Sequence, residues 1–176
     1  MQDTQAVLKV IDEMQAAGVI QKYAIGGAVA ATFYIEPTAT YDIDIFISFE
    51  NLPGSSIASL EPIFKYLSAR QYKTSGAHFL IAGWQVQFLP ADDALNHEAL
   101  SEAVETQVGD VKTWIMTAEH LMAIALKTGR GKDLIRLEQF VRYKAFDPGK
   151  LNPILARHNL VEKWRRFDDK YIKGIT

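Results

Sequence analysis

Asp42 and Asp44 flank Ile43 in the run Thr40-Tyr41-Asp42-Ile43-Asp44-Ile45-Phe46-Ile47. Side chains on a β-strand alternate between faces, so the two acids project one way and the three isoleucines the other. Carboxylates at i and i+2 lie roughly 6–7 Å apart. At an effective dielectric of about 20 they repel each other by about 2–3 kcal/mol. A bound cation offsets that cost. Two hard oxygen donors with open positions suit Mg²⁺ (or Mn²⁺), which shares its shell with water and substrate phosphates. Upstream, Gly26 and Gly27 end the short run Lys22-Tyr23-Ala24-Ile25, where a strand would hand over to a helix. Lacking Cβ atoms, they allow close backbone approach, and the helix start offers N–H groups to an anion. Phosphates held there, beside a metal on Asp42 and Asp44, make a site for phosphoryl or nucleotidyl transfer. Taken singly, Gly-Gly reads as a tight turn and Asp-x-Asp as a solvated edge. Their order on adjacent elements favours the site.

The elements around this pair read as mixed. Val7, Leu8, Ile11 and Met14 predict a helix over 5–17, with Gly18 as its cap. A strand over 22–25, a helix over 28–34 and a strand over 40–49 follow, with Pro37 as a break. Asn51 to Gly54 is a turn cluster, and a helix is expected from about Ser56 to Arg70. Three β-type runs come next: Tyr72–Ser75, His78–Ala82 and Trp84–Leu89. A helix over Leu95–Val104 and a short strand at Trp114–Met116 complete the mixed part. Thr117 then caps a helix running to Lys127. Helices over Leu134–Arg142, from Asp147-Pro148 onward, and over Leu160–Phe167 close the chain. The expected fold class is α+β, with an α/β core over 1–116 and a helical region over 117–176.

Composition narrows the function classes. The 176 residues are 48% hydrophobic and 23% charged, ordinary values for a folded chain. The 19 Lys+Arg against 21 Asp+Glu exclude a generally basic nucleic-acid coat. With no cysteine there is no disulfide, thiolate metal site or cysteine nucleophile. The opening residues do not pair a basic end with an apolar run, and no apolar stretch reaches the roughly 20 residues of a membrane span. A cytoplasmic protein with no membrane partner is the expectation. The four histidines lie far apart without ligand spacing, and His120 reads as a packing or capping residue. Ser55-Ser56 lacks a nucleophile-elbow context. Trp164, at helical spacing from Leu160, reads as core rather than as a nucleic-acid contact.

Gly-Gly, a short helix, then Asp-x-Asp on a strand resembles the polymerase-beta-type nucleotidyltransferase superfamily. More closely, Tyr23–Ala30, Glu36-Pro37, Thr40–Asp44, Val86–Pro90 and Leu126–Asp133 resemble a group of small bacterial and archaeal nucleotidyltransferase-like proteins. That group is related to the nucleotidyltransferases of abortive-infection and toxin–antitoxin systems. The resemblance spans most of the chain from Tyr23 onward. It implies a minimal mixed sheet flanked by helices and two divalent metals on Asp42 and Asp44. The implied reaction moves a nucleoside monophosphate from a nucleoside triphosphate to a hydroxyl of RNA, protein or a small molecule. Gly26, Gly27 and Thr40 would bind the nucleotide, with Lys127, Arg130 and Lys132 on its phosphates. An operon-encoded partner protein is a further implication. Without the resemblance, the same cations read equally well as helix-end charges around Gly129 and Asp133.

One position departs from the pattern. Active members carry a third carboxylate on a later strand, and the matching run Trp84–Leu89 places Gln87 there, or Gln85 in the alternative register. An amide brings no charge and is a very poor proton acceptor. Relatives also often carry Arg where this chain has Thr38. Nucleotide and metal binding are therefore expected to survive better than catalysis. The alternative is a degenerate nucleotide-binding protein or toxin–antitoxin partner.

Overall fold

The computed structural model describes residues 2–48 and 60–173. In these residues one mixed sheet of seven strands carries β1 (Tyr23–Ile25), β2 (Asp42–Ile47), β3 (Lys73–Ser75), β4 (His78–Ile81), β5 (Trp84–Pro90), β6 (Val104–Val108) and β7 (Val111–Ile115). The order across it is β3-β4-β5-β2-β1-β7-β6. β2 runs parallel to β5 and antiparallel to β1, while β1 runs parallel to β7. The α+β class and the sheet flanked by helices agree with the sequence reading.

Ile43, Ile45 and Ile47 are fully buried, so the strand is held by its apolar face. That leaves the opposite face of β2 to present Asp42 and Asp44. Helix α1 (Thr4–Ala16) buries Val7, Leu8, Ile11 and Met14, and Asp3 caps it by accepting the Ala6 N–H at 3.0 Å. Gly18 then takes φ +70°, the left-handed turn that ends such a helix. Helix α2 (Gly27–Ala31) is shorter than expected, with turns continuing to Tyr34. Helix α3 spans Glu61–Ala69. The turn at 51–54, Ser55-Ser56 and the expected start of that helix lie outside the described residues.

Helix α4 (Ala94–Ser101) stops three residues short of the expected Val104. Val104 instead opens β6, which pairs with β7 through the two-residue turn Gly109-Asp110. Most of β6 faces outward, and Val-Glu-Thr-Gln-Val carries too few apolar residues to announce a strand. The last strand is accordingly longer than the three residues expected. After Thr117 the chain is helical: α5 (Ala118–Thr128), α6 (Gly131–Arg142), α7 (Pro148–Arg157), α8 (Val161–Phe167) and a π-helical turn over Asp168–Ile172. Helix α5 is buried along most of its length because it packs on α2, α4, α6, α7 and α8. Trp164 stacks with Phe146 and Phe167 in this helical layer, as its spacing suggested. No helix among the described residues is long and apolar enough to cross a membrane.

Candidate functional site

Parallel pairing of β2 and β5 sets Asp42 beside Gln85 and Asp44 beside Gln87. Register partners share a face of the sheet. Both acids and both glutamines therefore line one cavity of about 830 Å³, roofed by α5 and α6. Each glutamine stands beside one of the two acids, so the pairing leaves both Gln87 and Gln85 at the position considered for a third carboxylate.

The double glycine adjoins this cavity for a steric reason. Gly26 continues the sheet, its N–H bonding to the Asp44 carbonyl at 2.9 Å. Gly27 starts α2 at φ +59°, and a Cβ there would lie 2.0 Å from Asp44 Oδ2. A Cβ on Gly26 would meet the Phe46 ring at 2.5 Å. The glycines thus let the start of α2 press against the Asp44 carboxylate, and no side chain caps that helix start. Gly27 and Ala28 line the cavity.

Opposite the acids stands the start of α6. Arg130, Lys132 and Arg136 line the cavity from that side. Asp133, only 2% exposed, organises the two arginines. Its carboxylate accepts the Arg130 backbone N–H at 3.2 Å and the Arg130 Nε at 2.8 Å, and lies 3.7 Å from Arg136. Asp133 is thus the helix-start charge that one reading of the segment expected, and it leaves Lys132 facing the acids.

Electrostatics differ between the two aspartates. Burial pushes Asp42 up, but the Thr40 hydroxyl, which donates to its Oδ1 at 2.5 Å, and the Lys132 charge outweigh that and hold it below the ordinary value. Burial raises Asp44, and the Asp42 charge raises it further, against the pull of Lys132, Arg136 and Arg130. A half-buried acid that is costly to ionise, facing guanidinium and ammonium groups across a cavity, is a place where a cation and an anion can settle together.

Of the remaining candidates, Thr40 lines the cavity with its hydroxyl committed to Asp42. Lys127 stands apart. Its Nζ pairs with Asp93 at 2.9 Å, and it does not line the cavity. Asp93 caps α4 by accepting the Leu95 and Asn96 N–H groups, so Lys127 ties the end of α5 to that cap. The reason is the left-handed turn at Gly129 (φ +69°), which separates Lys127 from the start of α6. Sequence reasoning missed Arg136 and His78. Arg136 was visible in principle, four residues after Lys132 on one helical face. His78 reaches the cavity only through strand pairing, which no local spacing announces.

A second cluster joins histidines distant in the chain. Glu98 accepts from Arg157 at 2.5 and 3.3 Å, and lies 2.8 Å from His158 Nε2 and 3.3 Å from His120 Nε2. His120 is buried and also contacts the Thr117 hydroxyl at 2.7 Å. Glu98, Glu102 and His120 form the one group of three or more acids and histidines at metal-ligand spacing among the described residues. Arg157 already neutralises Glu98, the two histidines contact it, and the cluster fastens α4 to α5 and α7. The Arg157 hydrogen bond is the main cause that brings the Glu98 carboxyl down from 4.5 to about 2. A depressed acid contributes stability above its unfolded value and loses it as pH falls through the folded one. Glu98→Gln is therefore expected to lower stability at pH 7 by about 1–3 kcal/mol. That deficit should shrink as pH falls from about 4.5 towards about 2. Urea unfolding of both chains across that window checks it. A deficit that stays constant would show that the charge is not the cause.

The sheet order, the α2 start against β2 and the trailing helices define a nucleotidyltransferase-like fold. The chain is similar to the crystal structure of an antigenic nucleotidyltransferase-like protein from Paracoccidioides brasiliensis, with a TM-score of 0.56 over 96% of this chain and 93% of that one. The two are 12% identical, so the likeness is one of fold. No protein-family model matches the chain, and no curated protein matches it in sequence.

Proposed function

We propose that the chain is a nucleotidyltransferase of the group related to abortive-infection and toxin–antitoxin proteins. Asp42 and Asp44 would hold Mg²⁺ (or Mn²⁺). The donor set fits: two oxygen ligands on one strand face, one of them half-buried with its proton affinity raised by burial and by the other acid. Such an ion, when bound, neutralises phosphate charge and polarises the phosphoryl group. The chain's own groups do the rest. The start of α2 at Gly26 and Gly27 would take the triphosphate, with Arg130 and Lys132 opposite and Arg136 beside them. The acceptor hydroxyl attacks the α-phosphorus in line and gives its proton to solvent water, a new P–O bond forms, and pyrophosphate leaves with the electrons of the broken bond. Positioning and charge neutralisation supply most of the rate.

The observation that carries this reading is the half-buried Asp44 in a cavity that also holds Gly27 and three cations. Incubation with each labelled nucleoside triphosphate, Mg²⁺ and total RNA or protein tests it. Label should move to an acceptor, and Asp44→Ala should stop it. Lys132→Ala is expected to weaken triphosphate binding about tenfold while leaving the melting temperature within about 1 °C, since one exposed charge contact is worth about 1–2 kcal/mol to an anion and little to the fold. Isothermal titration and a thermal melt check the pair. An unchanged affinity would remove Lys132 from the site.

Gln87 beside Asp44 favours a second reading, a nucleotide-binding partner protein without catalysis. It predicts nucleotide-dependent thermal stabilisation with no label transfer to any acceptor.

A further inference from the structure

Among the described residues, two large hydrophobic side chains are more than half exposed, Tyr41 at 76% and Ile135 at 60%, and both line the cavity of the acids. The other exposed large hydrophobics stop at 44%, and none of them lines it. A single apolar side chain in solvent needs no explanation, but two on one cavity mark a surface that a ligand covers. Tyr41 directly precedes Asp42, the first residue of β2. Its carbonyl accepts the Gln85 N–H at 3.1 Å, so strand pairing fixes the backbone from which the exposed ring projects. Ile135 stands on α6 three residues after Lys132 and one before Arg136, on the side opposite the acids. Adjacent Cα atoms are about 3.8 Å apart, which roots the Tyr41 ring within one sugar of a phosphate held at Asp42.

We propose that Tyr41, with Ile135 on the α6 side, is the platform on which a nucleobase stacks, so that the site demands a flat ring and discriminates weakly among the four bases. The inference rests on the nucleotide-binding reading above. Acids and cations account for phosphate, but neither accounts for an aromatic ring left in solvent beside them. Exposed Lys132 and Arg130 near an exposed ring form the pairing that holds nucleotides, charge for the phosphates and a π-face for the base. Every base has a π-face, so stacking accepts all four, whereas recognition by hydrogen bonds does not. A tyrosine supplies this area with only two side-chain torsions to fix, so little freedom is lost on binding. The base belongs either to the triphosphate or to a single-stranded acceptor end, and the stacking chemistry is the same for both.

The test titrates ATP, GTP, CTP, UTP, inorganic tripolyphosphate and a short single-stranded RNA into the full chain with Mg²⁺, as wild type, Tyr41→Phe, Tyr41→Ala and Ile135→Ala. Wild type is expected to bind each nucleoside triphosphate about 10–100-fold more tightly than tripolyphosphate, with the four bases within about fivefold of one another. Tyr41→Ala should remove most of that advantage, Ile135→Ala about threefold of it, and Tyr41→Phe almost none. Tripolyphosphate affinity should stay within about twofold in all four chains, which also reports that the phosphate site is still folded. If the advantage survives Tyr41→Ala while RNA affinity falls about tenfold or more, the stacked base is the acceptor's and the platform stands. If neither triphosphate nor RNA affinity changes in Tyr41→Ala, the platform is overturned while tripolyphosphate binding keeps the phosphate site. A spread of a hundredfold or more among the four bases in wild type would overturn recognition by stacking. If wild type binds none of these ligands, the nucleotide reading itself is wrong and the platform falls with it.

Discussion

In EDTA at pH 7, Asp44→Asn is expected to melt above the wild-type chain, and in millimolar Mn²⁺ the order is expected to reverse. Burial, then the charge of Asp42, raises Asp44 above its ordinary value. The folded state thus holds that proton more tightly than the unfolded chain does. Stability from this source is complete below the unfolded value of 3.8 and is lost as pH rises through the folded one. Above that folded value the whole penalty is present, and asparagine removes it. Repulsion between the two acids is about 2–3 kcal/mol, and Lys132, Arg136 and Arg130 cancel part of it. A net gain of about 1 kcal/mol corresponds to about 2–4 °C for a chain of this size. Mn²⁺ then stabilises only the wild type, by about 2.7 kcal/mol at a hundred times its dissociation constant. Nucleotidyl transfer, in contrast, should fall about 10³-fold or more, because several kcal/mol of charge stabilisation leave with the ion. Differential scanning fluorimetry in both buffers, beside a transfer assay, measures all three. A variant that melts below wild type in EDTA would mean that the three cations outweigh burial. A wild type that gains nothing from Mn²⁺ would remove the metal from Asp44.

The acid pair was legible because a strand has a period of two, and three isoleucines fix which face is inside. The double glycine was legible as a place of close approach. Its partner was not: the expectation was a phosphate, and the nearest group to Gly27 is Asp44 itself. The cation segment divided for a reason that sequence proximity hides. Arg130 and Lys132 follow the left-handed residue Gly129 and belong to α6, whereas Lys127 precedes it and points to the α4 cap. β6 was illegible because an outward-facing edge strand needs little apolar surface. His78 and the Glu98 cluster depend on pairings across many residues of chain, which local periodicity does not encode. The fold class rested on local signals and was readable. Groups brought to the site from β4 and along α6 required the tertiary structure.

Gly27→Ala is expected to be the most disruptive single-methyl change on the cavity floor. A left-handed backbone costs a residue with a Cβ about 1–2 kcal/mol, and φ at Gly27 is +59°. The added carbon would also lie 2.0 Å from Asp44 Oδ2 and 3.0 Å from its Cγ, so the carboxylate must leave its place. Together these should destabilise the chain by about 2–4 kcal/mol and abolish metal affinity. Gly26→Ala is a useful contrast. Its φ of −116° is ordinary extended backbone, and its clash is with the Phe46 ring. That substitution should cost packing but leave Asp44 in place, so metal binding survives wherever the variant folds. The cause at Gly27 can be isolated by pairing it with Asp44→Ala. Removing the carboxylate takes away the two nearest atoms and leaves the Asp44 Cβ contact of 3.3 Å, a tight but tolerable approach. The double variant should then be more stable than the sum of the single changes predicts, by about 1–2 kcal/mol, because the clash vanishes while the backbone strain remains. Urea denaturation of the four chains in EDTA completes the cycle. Strict additivity would show that Gly27 is required for its backbone conformation alone, and that its closeness to Asp44 is incidental.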